Sequence, residues 1–386
     1  MLRIRSISGQ LLLISVLGGG CHDGKPAPLP GSPTAVKPAA RPVATAWAPR
    51  AISAPPDPPP KARVDSAPRD SAPGSAVPLV ARPHFVVSPT DSAKWPVKGP
   101  APLAGAILPR YRVIAYYGNP FSQRMGVLGS VPSEDMLERL ERTAVEWAKA
   151  DTSRKVLPAL HLIATVAQGS PGAGGKHRLR MPDSLIQRVA GWAEQRGWLL
   201  FVDIQTGHST VAAELEPLIP YLRRPYVHLA LDPEFAMTRG GVPGRRIGTL
   251  DAADVNVAIR RLAKLVSEER LPPKLLVVHR FTRGMLTGTE RIQLDPRVQV
   301  VIDMDGFGAS WHKEYAYRHF ISPYPVQYTG FKLFYKNDRA TRVPSGNLAP
   351  DCSRTTSEDV GCGNDGLMTP RQVLRLYPQP LYIQYQ

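Results

Sequence analysis

The stretch Val227-His228-Leu229-Ala230-Leu231-Asp232-Pro233-Glu234 is an apolar run that turns acidic only at its C-terminal end. Side chains alternate along an extended chain, so His228, Ala230, Asp232 and Glu234 share one face while Val227, Leu229 and Leu231 take the other. The wholly aliphatic face suits a covering layer of helices, which leaves the acidic face to the inside. Three further segments repeat the pattern: Leu199-Leu200-Phe201-Val202-Asp203-Ile204-Gln205, Leu275-Leu276-Val277-Val278-His279 and Val298-Gln299-Val300-Val301-Ile302-Asp303-Met304-Asp305. The same alternation sends Phe201, Asp203 and Gln205, Val277 and His279, and Asp303 with Asp305 inward. In parallel α/β sheets, active sites are assembled at the C-terminal strand ends.

Outward from this block the alternation of elements continues. Residues 112–120 read as the first strand and 159–167 as the second, while 330–336 and 381–385 read as the last two. Ser133 reads as a helix cap with Glu134 and Asp135 in the first turn, followed by Leu137, Leu140, Ala144 and Trp147 at helical spacing. Helices are predicted over 182–196 before Gly197, over 209–222, over 251–269 and over 311–320, and Thr369 caps a short one with Pro370 at its first position. The helical signal after His279 is weak. Eight β segments alternating with helices or loops predict an α/β fold, a (β/α)8 TIM-type barrel over residues 106–386. An open doubly wound sheet is the alternative, and eight units ending in a strand favour closure. Two long connections, 236–250 with Arg239, Arg245 and Arg246, and 337–368 with Arg339 and Arg342, follow strand C-termini and would rim one mouth.

The N-terminal quarter differs. Residues 22–105 hold 20 of the 41 prolines and no sustained apolar period, so 21–105 is read as a disordered, partly polyproline tether. Arg3 and Arg5 precede the apolar run Leu11-Leu12-Leu13-Ile14-Ser15-Val16-Leu17, which is too short to span a bilayer, and Gly18-Gly19-Gly20-Cys21 follows. Residues 1–20 resemble a bacterial lipoprotein signal peptide, although Leu17 lies four residues before the cysteine rather than the usual three. The resemblance implies export, lipidation of Cys21 and anchoring to the cell membrane or outer membrane. A plain secretory signal is the simpler alternative. The other two cysteines, Cys352 and Cys362, lie in a polar, Gly-rich loop where an oxidising compartment would let them bridge; a metal pair is the alternative. Of the net charge of +16, the leader supplies +2 and the tether +5, leaving +9 on the domain. That balance suits anionic envelope polymers or lipid headgroups. With no basic helix or interleaved aromatic motif, no nucleic-acid partner is expected.

Asp203, Asp232, Glu234, His279, Asp303 and Asp305 thus converge on one concave end. Neighbouring carboxylates cannot all ionise freely, so at least one should hold its proton. A protonated carboxyl beside an ionised one is the arrangement that glycoside hydrolysis uses. The step Asp232-Pro233-Glu234 resembles the acidic end of strand four in glycoside-hydrolase TIM barrels, and most closely the close of the chitinase-like D-x-x-D-x-D-x-E motif. Val227 and Ala230 stand where that motif has its first two aspartates, and Pro233 replaces a bulky residue. The resemblance implies Glu234 as general acid and Asp232 as its partner, with Asp203, Asp303 or Asp305 as base or charge stabiliser. Tyr117 and Trp311 are candidate sugar platforms, with Gln205, His279, Lys332 and Tyr335 as further substrate contacts. Asp203 and His279 could instead form an internal ion pair, and Glu234 could bind Arg239 or a loop amide. His228 lies deeper and reads as a core histidine.

The expectation is a lipid-anchored, exported, monomeric glycoside hydrolase acting on peptidoglycan or an environmental polysaccharide without a cofactor. A non-catalytic glycan-binding barrel is the non-enzymatic alternative. A metal-dependent hydrolase drawing on Asp232, Glu234, His279, Asp303 and Asp305 is the third, with no metal site expected because only one histidine is read as inward at the mouth and no H-x-H or H-E-x-x-H occurs. A serine nucleophile is disfavoured by the lack of a G-x-S-x-G elbow.

Overall fold

The computed structural model describes residues 48–53, 94–340 and 367–386. Cys21, Cys352 and Cys362 lie outside the described residues, as does most of the second long connection. Eight barrel strands run parallel to one another: β1 (Tyr111–Gly118), β2 (Lys155–Ala167), β3 (Leu199–Ile204), β4 (Val227–Leu231), β5 (Lys274–His279), β6 (Val298–Met304), β7 (Tyr328–Leu333) and β8 (Tyr382–Tyr385). The short segment Arg178–Arg180 adds an antiparallel pairing to the C-terminal end of β2. They pair in chain order, and β8 returns to pair with β1 through Val113–Tyr382 to Tyr116–Tyr385. The sheet is therefore a closed (β/α)8 TIM-type barrel, and the open-sheet alternative is excluded.

Helices cover the outside where the apolar spacing placed them. α1 (Ser133–Ala150) buries Met136, Leu137, Leu140, Ala144 and Trp147. α2 (Asp183–Arg196) ends at Gly197, whose φ of 67° is the left-handed conformation that glycine adopts freely. After the short α3 (Val211–Leu215), α4 (Ala252–Glu269) starts at a capping box in which Asp251 and Asp254 each accept a backbone N–H. α5 (Ser310–Ala316) and α6 (Pro370–Val373) follow, α6 with Thr369 and Gln372 as its own capping box, and short helical turns at Val127–Ser130, Ile219–Leu222 and Asn337–Ala340 fill the connections.

Several boundaries differ from the sequence reading: β2 starts four residues early, at Lys155, and the helix expected over 209–222 is broken by a 3-10 turn at Glu216–Leu218. Ser133 is the first helical residue rather than the cap; Pro132 precedes it and no side chain caps the end. β7 runs from Tyr328 and stops at Leu333, earlier than expected. α5 stops at Ala316 and continues as a π turn over Tyr317–Ile321. Between β5 and β6, where the helical signal is weak, the described residues hold two 3-10 turns, Arg283–Met285 and Thr289–Arg291. There Leu286–Thr287 pairs with Leu250–Asp251 as a two-stranded annex.

Two apolar layers follow from strand alternation. The outer layer joins Ile114, Leu160, Val202, Leu229 and Val300 to the helices, whereas Val113, Leu157, Phe201, Ala230, Val277 and Val301 fill the lower barrel. The floor is sealed by the segment before β1. Ile107 and Leu108 donate their backbone N–H groups to Gln299 Oε1, at 2.9 and 3.1 Å, and Gln299 Nε2 donates to Leu108 O. Parts of the proline-rich region also pack on the barrel: Ile52 pairs with Val156, and Trp95 Nε1 donates to Ser322 O at 2.9 Å. No helix among the described residues is long and apolar enough to cross a membrane.

Candidate active site

Above the apolar lower layer, the barrel interior turns ionisable at the strand C-termini. The inward residues are Tyr117 (β1), His161 (β2), Asp203 (β3), Asp232 (just after β4), His279 (β5), Asp303 (β6) with Asp305 just beyond it, and Lys332 (β7). Each of these side chains is buried. The six groups read from alternation do converge. His279 Nδ1 lies 3.3 Å from Asp303 Oδ2 and 3.2 Å from Asp305 Oδ2, while its Nε2 lies 3.7 Å from Asp203 Oδ2. Lys332 Nζ lies 3.7 Å from Asp305 Oδ2 and 3.7 Å from the centre of the Tyr117 ring.

The Asp232-Pro233-Glu234 step is built by local chemistry. Asp232 Oδ1 accepts the Glu234 N–H at 3.1 Å, which caps the 3-10 turn Pro233–Phe235. Its Oδ2 accepts Gln205 Nε2 at 3.1 Å, and the Gln205 amide oxygen accepts Ala167 N–H at 2.9 Å. Gln205 Nε2 also donates to Tyr117 OH at 3.4 Å, so one glutamine ties three strands to the motif. The turn is pinned from outside as well: Gly248 N–H donates to Glu234 O, and Gly207 N–H to Phe235 O. The Glu234 side chain is half-buried at the rim, and among the described residues no hydrogen bond holds its carboxyl, neither from Arg239 nor from a loop amide. Arg239, Arg245 and Arg246 are exposed in the connection beside it.

Burial and charge sort the protonation states. Burial first, and then the charges of Asp232 and Asp305, push Glu234 up to about 8. Burial, with Asp203 and Asp305 adding to it, pushes Asp232 up to about 7 despite His279 and Lys332. Burial also raises Asp303. For Asp203 burial is overcome by the facing His161 and His279 rings, and for Asp305 by His279 and Lys332, so both lie below the usual carboxylate range. His279 is opposed by burial, yet its contacts with Asp303 and Asp305 hold it well above the ordinary histidine value. Burial depresses His161 to about 4 and takes His228 well below its ordinary value. The interior therefore balances two anions, Asp203 and Asp305, against His279 and Lys332, while Asp232 and Glu234 keep protons available near neutral pH.

His228 is a core histidine: its Nδ1 accepts Leu275 N–H at 3.1 Å and its ring packs on Phe201. The Asp203–His279 ion pair is present, but as part of the cluster rather than as an alternative to it. Two candidate contacts stand apart. Tyr335 follows the end of β7 with parity opposite to Lys332 and packs outside the barrel, bonding Tyr116 OH at 2.9 Å, stacked on Tyr385 and covered by Arg139. Trp311 lies on exposed α5 with its ring against His312 and does not join the carboxylates. The main residue missed from sequence is His161, whose Nε2 lies 3.5 Å from Asp203 Oδ2 and whose ring stacks on Phe201.

Comparison with known protein families, curated proteins and solved structures returned no match. The site's chemistry therefore has to be argued from its own geometry.

Proposed function

We propose that the chain is a glycoside hydrolase that uses carboxylate acid–base chemistry at the barrel mouth. One feature carries the reading: at Glu234, the rim carboxyl, burial first and the neighbouring Asp232 and Asp305 second disfavour the charged form and push it up to about 8. Glu234 would protonate the leaving glycosidic oxygen. Asp232, locked by Gln205 and the Glu234 N–H, would act as its positioning partner and hold the acid in place through the turn. Asp305, the ionised carboxylate just beyond the end of β6, would face the positive charge that grows at the sugar carbon. Gln205 and Tyr117 line the same end and would contact hydroxyls.

The substrate class is an anionic or mixed envelope polysaccharide such as peptidoglycan, because the rim connection carries three exposed arginines and the domain a surplus of +9. The leader and Cys21 support an exported, lipid-anchored chain whose proline-rich segment sets the domain away from the membrane. The pH dependence of turnover tests the assignment. As pH rises through about 8 the acid loses its proton, so kcat/KM should fall there, and Glu234→Gln should abolish turnover at every pH. A rate that stays flat from pH 7 to about 9.5 would rule out Glu234 as the acid.

A further inference from the structure

We infer that the barrel interior binds one divalent transition-metal ion through His161 Nε2, His279 Nε2 and Asp203 Oδ2. These three atoms lie within 4.8 Å of one another, and their side chains are fully buried. They share no hydrogen bond: His161 Nε2, His279 Nε2 and both Asp203 oxygens lack a partner. His279 can offset the charge of Asp203, yet no hydrogen bond joins them, and an ion between the carboxylate and the two imidazole nitrogens would supply the missing partner for all three. The spacing suits one. Two ligands at about 2.1 Å from a tetrahedral ion sit about 3.4 Å apart, and Asp203 Oδ2 lies 3.5 Å from His161 Nε2 and 3.7 Å from His279 Nε2.

The remaining ring nitrogens face groups that can support metal ligands. His279 Nδ1 lies 3.3 Å from Asp303 Oδ2 and 3.2 Å from Asp305 Oδ2, outside hydrogen-bond geometry but beside the carboxylates that would orient the ring once Nε2 is bound. His161 Nδ1 lies 2.6 Å from Tyr382 OH. In the metal-binding tautomer Nδ1–H donates to that oxygen and leaves the Nε2 lone pair facing the site. The Gln384 amide, 2.9 Å from Nδ1, then presents its oxygen rather than its nitrogen, an exchange that leaves the amide's shape unchanged. Two imidazoles and one carboxylate are borderline donors, which favour zinc and its first-row neighbours over magnesium or calcium. Three protein ligands leave a fourth position open.

This site needs nothing from the acid–base reading, and its test uses no substrate. The full-length chain, purified without a histidine tag and stripped with a chelator, is titrated with Zn2+ and assayed by elemental analysis. The expected result is about one zinc per chain, with Co2+ giving the visible absorption of a four-coordinate site. His161→Gln and Asp203→Asn should lose stoichiometric uptake, and Tyr382→Phe should weaken it about 10- to 100-fold while remaining folded. Wild-type uptake below about a tenth of an ion per chain would overturn the inference, because the cluster then holds only a proton. Full uptake by the folded His161→Gln and Asp203→Asn variants would overturn it equally. If both variants unfold, the cobalt spectrum of the wild-type chain decides: no four-coordinate band overturns the site.

Discussion

Glu234→Gln should make the protein more stable at alkaline pH while leaving it almost unchanged in acid. The carboxyl has an ordinary value of 4.5 and is raised to about 8 in the folded chain, first by burial and then by Asp232 and Asp305. A folded value above the unfolded one means the folded state holds the proton more tightly. The stability linked to this proton is complete below about pH 4.5, is lost progressively as pH rises towards about 8, and is gone above that. The shift of about three and a half units sets a ceiling of about 5 kcal/mol at 1.36 kcal/mol per unit. Partial exposure of the rim carboxyl screens it, so a loss of about 2 kcal/mol is expected. The glutamine variant is nearly isosteric and has no proton to lose. In urea unfolding, the variant should match wild type at about pH 4.5 and exceed it by about 2 kcal/mol at about pH 8.5. An offset of the same size at both pH values would refute the reasoning, because it would show that the carboxyl's proton is not what the barrel mouth holds.

Two further perturbations probe the supporting structure. A Cβ at Gly330 would lie 2.5 Å from Asp303 Oδ1 and 3.0 Å from Tyr382 Cδ1, so Gly330→Ala should cost about 1–3 kcal/mol in a denaturant titration. Asp338 accepts Gly308 N–H and Phe334 N–H, both at 2.9 Å, and pairs with buried Lys313 at 3.1 Å. Asp338→Ala should therefore cost about 3–5 kcal/mol, and the double change with Lys313→Met should recover part of that in the same titration.

The closed barrel and its inward face were legible because the chain writes both in alternation. The run from Val227 to Glu234 names its own inner and outer residues, and three more strands repeat it. What the alternation could not give was depth. β2 runs on for six residues beyond His161, with a register shift between Ile163 and Thr165 against β3. His161 therefore lies well before the strand end where site residues were sought, although the tilt of the barrel sets it level with Phe201 and just beneath Asp203. Tyr335, named beside Lys332, shows the opposite error. An odd separation puts them on opposite faces, and β7 ends at Leu333, so one reaches the site and the other packs outside. The Asp232-Pro233-Glu234 step was visible as a motif, but its support was not. Gln205 and Gly248 reach it from other connections, and only the folded barrel brings them there.

The most direct test incubates the full-length chain and its Glu234→Gln variant with isolated peptidoglycan and a panel of polysaccharides, then reads released fragments by mass spectrometry. The account expects fragments from the wild type alone, with the variant still bound to the polymer that the wild type cleaves. Equal retention of one polymer by both proteins, with no fragment from either, would contradict it and leave a glycan-binding barrel.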